Sequence, residues 1–233
     1  MIPGNQIRVI GFDADDTLWV NEPYYREAER EFSGLLKEYE IQVDIGAALF
    51  QTEIANLELY GYGIKAFILS LVECAINVSR GRVTSDTISR IVDIGKQMLQ
   101  RPIQLLDGVK QVLEALSPTY KLIVATKGDL LDQERKMKRS SISSFFHHIE
   151  VMSDKQEAHY RQLLDHLEIS PDQFLMIGNS MKSDVIPPLA IGAWAIHVPF
   201  HTTWAHEKVD EDPVSERFFR VKGIGEVPGM LNR

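Results

Sequence analysis

Apolar residues are spaced in two different patterns along the chain. Residues 7–12 form a short apolar run of the kind found in buried strands, whereas residues 22–100 repeat their apolar positions at helical spacing. Ile64, Phe67 and Ile68, for example, occupy the i, i+3 and i+4 positions of one buried stripe. The pattern therefore predicts a single strand followed by a small bundle of four helices.

From about residue 105 onwards, predicted strands alternate with predicted helices. The apolar runs interpreted as strands are residues 120–126, 148–152, 174–179 and 193–198. Such alternation is typical of an α/β fold with a parallel sheet and helices on both faces. Because a lone strand is not stable, the run at 7–12 must join this sheet. The prediction is a core of residues 1–18 and 103–233, interrupted by a helical domain of residues 19–102.

Composition narrows the class of protein. The 233 residues are 44% hydrophobic and 25% charged, as in soluble globular proteins. A net charge of −8 argues against a nucleic-acid partner, and the one basic segment, residues 133–139, is interpreted as a solvated helix face. The most apolar window, residues 66–78, is shorter than the about 20 residues that span a membrane. With a single cysteine and no signal peptide, we expect a cytoplasmic protein without a membrane partner.

The stretch GFDADDTLW places three acidic residues directly after the first predicted strand. Asp13, Asp15 and Asp16 lie within four positions, and like charges at that spacing repel. A fold tolerates them when a cation sits among them or when they share a chemical task. We interpret Asp16 as a turn or cap residue, which leaves Asp13 and Asp15 as the candidates for chemistry.

Polar residues also end the other predicted strands. Thr126 closes one strand, Lys155 follows the next, and the sequence GNSMKSD at 178–184 follows a third. In open α/β sheets, ligands bind beyond the carboxyl ends of the strands. These residues are therefore expected to meet Asp13 at one edge of the sheet.

The four motifs together resemble the haloacid dehalogenase-like hydrolase superfamily. The resemblance rests on DADDTL at 13–18, Thr126, Lys155 and GNSMKSD, in this order and each at a strand end. It covers the whole predicted core. It implies a Rossmann-like core, and the helical block resembles the cap that one branch of the superfamily inserts after the first motif.

The resemblance assigns a catalytic role to several residues. Asp13 would attack phosphorus and form an aspartyl-phosphate, while Asp15 would protonate the leaving oxygen and later deprotonate the hydrolytic water. An ordinary Asp has a pKa near ~3.9, and crowding by like charges would raise the pKa of Asp15. Thr126 and Lys155 match the phosphate-binding positions of the superfamily.

A magnesium ion is the cofactor that the resemblance implies. Its ligands would be the Asp13 carboxylate, the Asp15 backbone carbonyl and oxygens of Asn179 and Asp184. The fourth motif of the superfamily usually begins Gly-Asp, whereas this chain has Asn179 at that position. Because Asn brings no charge, we expect magnesium binding to persist with lower affinity.

The function predicted from these residues is a Mg²⁺-dependent phosphatase acting on a small phosphorylated substrate. A sugar phosphomutase shares both aspartates, and a phosphonate hydrolase would use a lysine of the cap, for which Lys65 is available. Because Asn179 stands where the superfamily usually has Asp, a non-catalytic, phosphate-binding regulatory protein is a further alternative. A dehalogenase is not predicted, because the dehalogenases of the superfamily lack an acid/base Asp at the position of Asp15.

Two further segments raise alternatives. The sequence LYGYGIK presents Tyr60, Tyr62 and Lys65 around two glycines, and is either a turn between helices or a loop that selects the substrate. The histidines of HTTWAHE, residues 201–207, match no zinc spacing and are interpreted as rim or surface residues.

Overall fold

The computed structural model describes residues 1–209 and 211–232. In this part of the chain, six parallel strands form one sheet and two short strands pair separately. The strands are β1 Ile2–Pro3, β2 Val9–Phe12, β3 Lys121–Lys127, β4 Ile149–Met152, β5 Phe174–Gly178, β6 Trp194–His197, β7 Phe218–Arg220 and β8 Leu231–Asn232. The helices are α1 Glu22–Leu35, α2 Ile45–Tyr60, α3 Ile64–Val78, α4 Ser85–Gln100, α5 Val109–Leu116, α6 Leu130–Arg139, α7 Glu157–Leu167, α8 Ile186–Ala190 and α9 Val227–Met230.

The strands of the large sheet follow the order β4-β3-β2-β5-β6-β7. The first long strand of the chain, β2, therefore lies at the centre, with β3 and β5 as its parallel neighbours. At Gly11 a Cβ atom would lie 2.7 Å from the ring of Phe174, so glycine is what lets that ring pack on the strand. The predicted parallel sheet, with the first strand joined to it, is confirmed.

Helices cover both faces of the sheet, as predicted. In β5, Leu175 and Ile177 join the apolar cluster that includes α5, while Phe174 and Met176 join the cluster that includes α7. Alternate residues of a strand point to opposite faces, so one buried strand serves two cores. This is the physical origin of its uninterrupted apolar run.

Three short strands were missed by the sequence analysis, which ended the sheet near residue 198. Strand β7 adds to the edge of the large sheet, and β1 pairs with β8 in a separate ladder. The residues of β7 are half-buried or exposed. A strand of this length leaves no detectable apolar period in the sequence.

In the described residues, the chain divides into two compact units. The core unit contains residues 1–22, 103–127 and 134–233, and the helical unit contains residues 23–102 and 128–133. The entry boundary lies later than the predicted residue 18, because Trp19 forms a β-bridge with Leu105 and Val20 N–H donates to the carbonyl of Gln104 at 3.0 Å. These contacts keep the chain with the core unit up to Glu22.

Residues 128–133 differ from the prediction, which placed them in the core. Within the helical unit, Lys65 pairs with Asp129 at 2.9 Å, and a Cβ atom on Gly63 would lie 3.0 Å from the Asp129 nitrogen. The start of α6 is therefore packed with the helical unit, although the later residues of α6 belong to the core unit.

The helical unit has its own apolar core. Phe32 of α1, Leu71 of α3 and Ile91 of α4 are fully buried, and Cys74 lies among them. Asp44 caps α2 and Thr84 caps α4, each accepting a backbone N–H three residues on. The predicted helices are present. Among the described residues, no helix combines the length and apolarity needed to cross a membrane.

Asp16 is a turn and cap residue, as interpreted from the sequence. Its φ of 62° is left-handed, and its carboxyl accepts the N–H groups of Asn21 at 2.8 Å and Glu22 at 2.9 Å, at the start of α1. Burial raises the pKa of Asp16 to about 8, although these two backbone bonds act in the opposite direction. The neutral acid is thus favoured near neutral pH.

We expect Asp16→Asn to keep nearly the stability of the wild type and Asp16→Ala to lose about 1–2 kcal/mol. Asn retains an acceptor for both N–H groups, adopts left-handed backbone readily and carries no charge to bury. Urea denaturation at neutral pH measures both changes. Equal stability of the alanine variant and the wild type would show that the cap contributes nothing.

Candidate active site

The predicted site residues meet at the carboxyl ends of the central strands. Asp13 follows β2 directly, and its N–H continues the strand pairing to the carbonyl of Ile177 at 2.8 Å. Thr126 lies near the end of β3, Lys155 follows β4, and Asn179 follows β5. Since the strands are parallel, these ends share one edge of the sheet.

Lys155 lies between two carboxylates. Its Nζ is 2.6 Å from Asp13 Oδ1 and 2.6 Å from Asp184 Oδ1. The side chains of Lys155 and Asp184 are each only 1% exposed. The structure thus joins the first, third and fourth motifs through one buried ammonium group.

When both carboxyl groups are ionised, this cluster carries one negative charge in excess. Burial raises the pKa of Asp13 to about 7, with Lys155 opposing the rise. Burial also works against the charge of Lys155, but Asp13 and Asp184 outweigh it and hold the pKa of Lys155 above its usual value. One ammonium group faces two buried carboxylates, so a bound cation would be stabilised beside them.

The oxygen atoms near Asp13 suit magnesium. The Thr17 hydroxyl lies 3.1 Å from Asp13 Oδ2 and 3.3 Å from Asn179 Oδ1, so it brings a carboxylate and an amide oxygen to one point. Mg²⁺ prefers oxygen ligands of this kind, completed by water. These side-chain oxygens therefore fit the ion. Thr17 was not identified from the sequence.

Asp184 is already engaged by protein donors. Its Oδ1 accepts from Lys155 and its Oδ2 accepts from Ser180 N–H at 2.9 Å. Asn179 is therefore the better candidate for direct contact with a metal ion. Within residues 1–209 and 211–232, no group of three or more His, Cys, Asp or Glu side chains is placed to hold a metal.

The fourth motif forms a tight turn that presents Asp184. Ser180 caps a single π-helical turn, Met181–Val185, by accepting the Ser183 N–H at 3.0 Å. A Cβ atom on Gly178 would lie 2.3 Å from the Asp184 carboxyl group. Glycine at this position therefore leaves the space that the Asp184 side chain occupies.

A histidine from the neighbouring strand holds the backbone of Asn179. Arg220 Nε donates to His197 Nδ1 at 3.1 Å, so the proton of the neutral ring lies on Nε2 and is donated to the Asn179 carbonyl at 2.9 Å. Burial lowers the pKa of His197, and the charge of Arg220 acts in the same direction. Neither residue was identified from the sequence, because strand pairing alone brings them to this motif.

Asp15 is surrounded differently from the sequence prediction. Its Oδ1 accepts from Trp19 Nε1 at 2.7 Å and from Lys136 Nζ at 2.9 Å, and both donors favour the ionised carboxylate. The charge of Asp15 adds, after burial, to the raised pKa values of Asp13 and Asp16. The interpretation of 133–139 as a solvated face is wrong for Lys136, whose side chain is 12% exposed.

At the end of β3, Thr126 is buried and its hydroxyl donates to the carbonyl of Lys127 at 3.2 Å. Lys127, interpreted from the sequence as a rim residue, pairs with Glu207 at 2.6 Å. Glu207 was not identified as a site residue. It is the last residue of the segment HTTWAHE, in which only the histidines were considered as candidate metal ligands.

Tyr60, Tyr62 and Lys65 belong to the helical unit and are not grouped with Asp13. Tyr60 ends α2 and donates from its hydroxyl to Glu73 at 2.7 Å, while Lys65 near the start of α3 pairs with Asp129. Tyr62 lies in the connection between these helices. The segment is a helix-to-helix turn, and its role in substrate selection stays a prediction.

The sequence profile of the haloacid dehalogenase-like hydrolase family matches residues 7–192. The chain belongs to this family. A solved structure of a haloacid dehalogenase-like family hydrolase from Xanthomonas campestris is 38% identical, with a TM-score of 0.87, over 97% of this chain and 90% of that chain. Curated proteins gave no match to the sequence.

More distant structures share the fold of this haloacid dehalogenase-like hydrolase. One is described as a predicted phosphoglycolate phosphatase from Haemophilus somnus, with 18% identity and a TM-score of 0.63 over 97% of this chain and 98% of that one. Another is a 2-haloacid dehalogenase from Pseudomonas syringae, with 18% identity and a TM-score of 0.64 over 96% of this chain and 97% of that one. Neighbours of this fold therefore carry names for different chemistries.

We expect Gly178→Ala to lower the free energy of unfolding by about 1–3 kcal/mol, because the added methyl group overlaps the Asp184 carboxyl. In an Asp184→Gly background, which removes the Asp184 Cβ at 2.5 Å as well as the carboxyl group, the same change should cost much less because the overlap is gone. Urea denaturation of the four proteins of this cycle measures the coupling. Gly225→Ala is the matched control, because nothing lies within 4 Å of a Cβ atom there. Equal costs in both backgrounds would contradict the overlap.

Proposed function

We propose that this hydrolase is a Mg²⁺-dependent phosphatase that hydrolyses a small phosphorylated metabolite through an aspartyl-phosphate. The observation that carries the proposal is the Asp15 carboxyl, held by Trp19 and Lys136 two residues from the buried Asp13. An acid–base group next to a nucleophile suits a reaction in which an alkoxide leaves and water then attacks.

The first half of the reaction transfers the phosphoryl group to the protein. An oxygen of Asp13 attacks phosphorus, the bond from phosphorus to the substrate oxygen breaks, and Asp15 gives its proton to the departing oxygen. Lys155 and Thr126 offset and orient the phosphoryl oxygens. When bound by Asp13, the Asp15 carbonyl and Asn179, Mg²⁺ supplies positive charge for the transferring group.

The second half regenerates Asp13. Asp15, now ionised, takes a proton from water, the resulting hydroxide attacks phosphorus, and the bond between phosphorus and the Asp13 oxygen breaks. Inorganic phosphate leaves. Asp15 keeps the proton of that water and can lose it to solvent or use it in the next turnover.

Asp15 also separates this proposal from dehalogenation. A halide ion is a weak base that leaves without a proton, so displacement at carbon gives a general acid nothing to do in the first half. An alkoxide leaving from phosphorus gains a proton in the transition state, for which general acid catalysis is worth about 10²–10⁴-fold. The carboxyl at this position thus favours phosphate esters over 2-haloacids.

An assay with two substrates tests the proposal. We expect the purified protein to release nitrophenol from p-nitrophenyl phosphate with Mg²⁺ and to stop when EDTA is added. With 2-chloropropionate we expect no chloride release. Chloride release without phosphatase activity would overturn the proposal. A panel of phosphorylated metabolites, read by phosphate release, then ranks the candidate substrates.

Substitutions of Asp13 and of Asp15 should impair the reaction at different steps. Asp13→Asn removes the nucleophile, so no phosphoenzyme forms. Asp15→Asn keeps the nucleophile but loses both proton transfers, and turnover should fall about 10²–10⁴-fold. An activated aryl phosphate needs no proton on its leaving group, so it should load Asp13 and leave the phosphoenzyme to accumulate.

Intact-mass measurement after mixing with p-nitrophenyl phosphate reads this difference. Added phosphate is expected on the Asp15→Asn protein and none on the Asp13→Asn protein. Phosphate on Asp13→Asn would mean that the nucleophile is another residue.

A further inference from the structure

A carboxylate from a distant segment connects the end of β3 to the fourth motif. Glu207 ends a short 3₁₀ turn, Ala205–Glu207, and its side chain is 12% exposed. Its Oε1 accepts from Lys127 Nζ at 2.6 Å. Its Oε2 accepts from Ser183 Oγ at 2.6 Å and from the Ser180 hydroxyl. One side chain thus contacts two strand ends of the site.

The two serine hydroxyls each have a single orientation that suits this arrangement. Ser180 Oγ accepts the N–H of Ser183, so its own proton is free to be donated to Glu207. Ser183 Oγ accepts from Lys127 Nζ at 2.9 Å and likewise donates to Glu207. Burial alone would raise the pKa of Glu207, but Lys127 and these hydroxyls lower it to about 2. Glu207 is therefore a charged acceptor.

The two serines that Glu207 contacts are sequence neighbours of Asn179 and Asp184. Ser180 directly follows Asn179, and Ser183 directly precedes Asp184. Both bound serines belong to the turn that sets the direction of these two oxygen-bearing side chains. A contact that restrains Ser180 and Ser183 therefore also restrains Asn179 and Asp184, at the two ends of the turn.

We propose that Glu207 is a positioning residue for the magnesium site: by holding Ser180 and Ser183, it sets the places of Asn179 and Asp184. The inference rests on the proposed function, because it concerns the metal of that function. Partners that orient metal ligands from outside typically contribute 10–100-fold to metal affinity.

A competing explanation is that Glu207 only neutralises the charge of Lys127. The two explanations separate in a Lys127→Met background, where no charge is left to neutralise. In that background, Glu207→Gln keeps an oxygen that accepts from both serines, whereas Glu207→Met has similar length and no such oxygen. The two double variants carry the same charge and differ in the acceptor.

Calorimetric titration of the purified full chain with MgCl₂ alone provides the test. We expect the variant with Glu207→Gln to bind Mg²⁺ within a few-fold of Lys127→Met, and the variant with Glu207→Met to bind about 10–100-fold more weakly. Equal affinities of the two double variants would overturn the inference. Absence of binding by the wild type would instead reject the magnesium of the proposed function.

Two controls protect this comparison. Glu226 also ends a 3₁₀ turn and accepts a backbone N–H from Lys222 at 3.1 Å, so Glu226→Met should leave magnesium affinity unchanged. If thermal melting shows that a double variant is unfolded, Ser183→Ala in the wild-type chain breaks one of the same bonds and leaves the Ser180 cap of the turn in place. This variant should weaken Mg²⁺ binding, and unchanged affinity would overturn the inference.

Discussion

The ammonium group of Lys155, buried between Asp13 and Asp184, is the interaction on which the arrangement of the site depends. Its two contacts, each of 2.6 Å, set the spacing between the end of β2, the segment after β4 and the turn after β5. Breaking one side of such a buried pair typically costs about 3–5 kcal/mol, because a charge is left without a partner. The strand ends are therefore held by charge as well as by sheet pairing.

The three clustered aspartates coexist because the fold gives each its own donors. Asp13 meets Lys155, Asp15 meets Trp19 and Lys136, and Asp16 turns away to cap α1. The left-handed backbone at Asp16 makes this separation possible, since an extended chain would carry the carboxylates along one strand. Burial is the main cause of the raised pKa values of Asp13 and Asp16, and the charge of Asp15 adds a smaller contribution in the same direction.

The sequence predicted the parts of the site that lie in short motifs at strand ends. Asp13 and Lys155 were identifiable because each follows an apolar run, and parallel strands bring such positions together. Glu207, His197 and Arg220 were not, because all three stand in segments without a motif. Strand pairing brings His197 and Arg220 to the fourth motif, and the 3₁₀ turn Ala205–Glu207 brings Glu207 there. The prediction that Lys136 lies on a solvated face was also wrong. Helical spacing shows which residues share a face of a helix, but not that one of them reaches Asp15.

The donors around Asp15 bear on how one carboxyl serves both halves of the proposed reaction. Trp19 and Lys136 favour the ionised form, which is the form that takes a proton from water. The first half needs the protonated form, and the substrate itself favours it, because a phosphate ester adds negative charge beside Asp15. In the proposed reaction, Asp15 is ionised again once the leaving oxygen has taken that proton, and the contact with Lys136 would stabilise it until the hydrolytic water is deprotonated. Each half-reaction thus leaves Asp15 in the state that the next half requires.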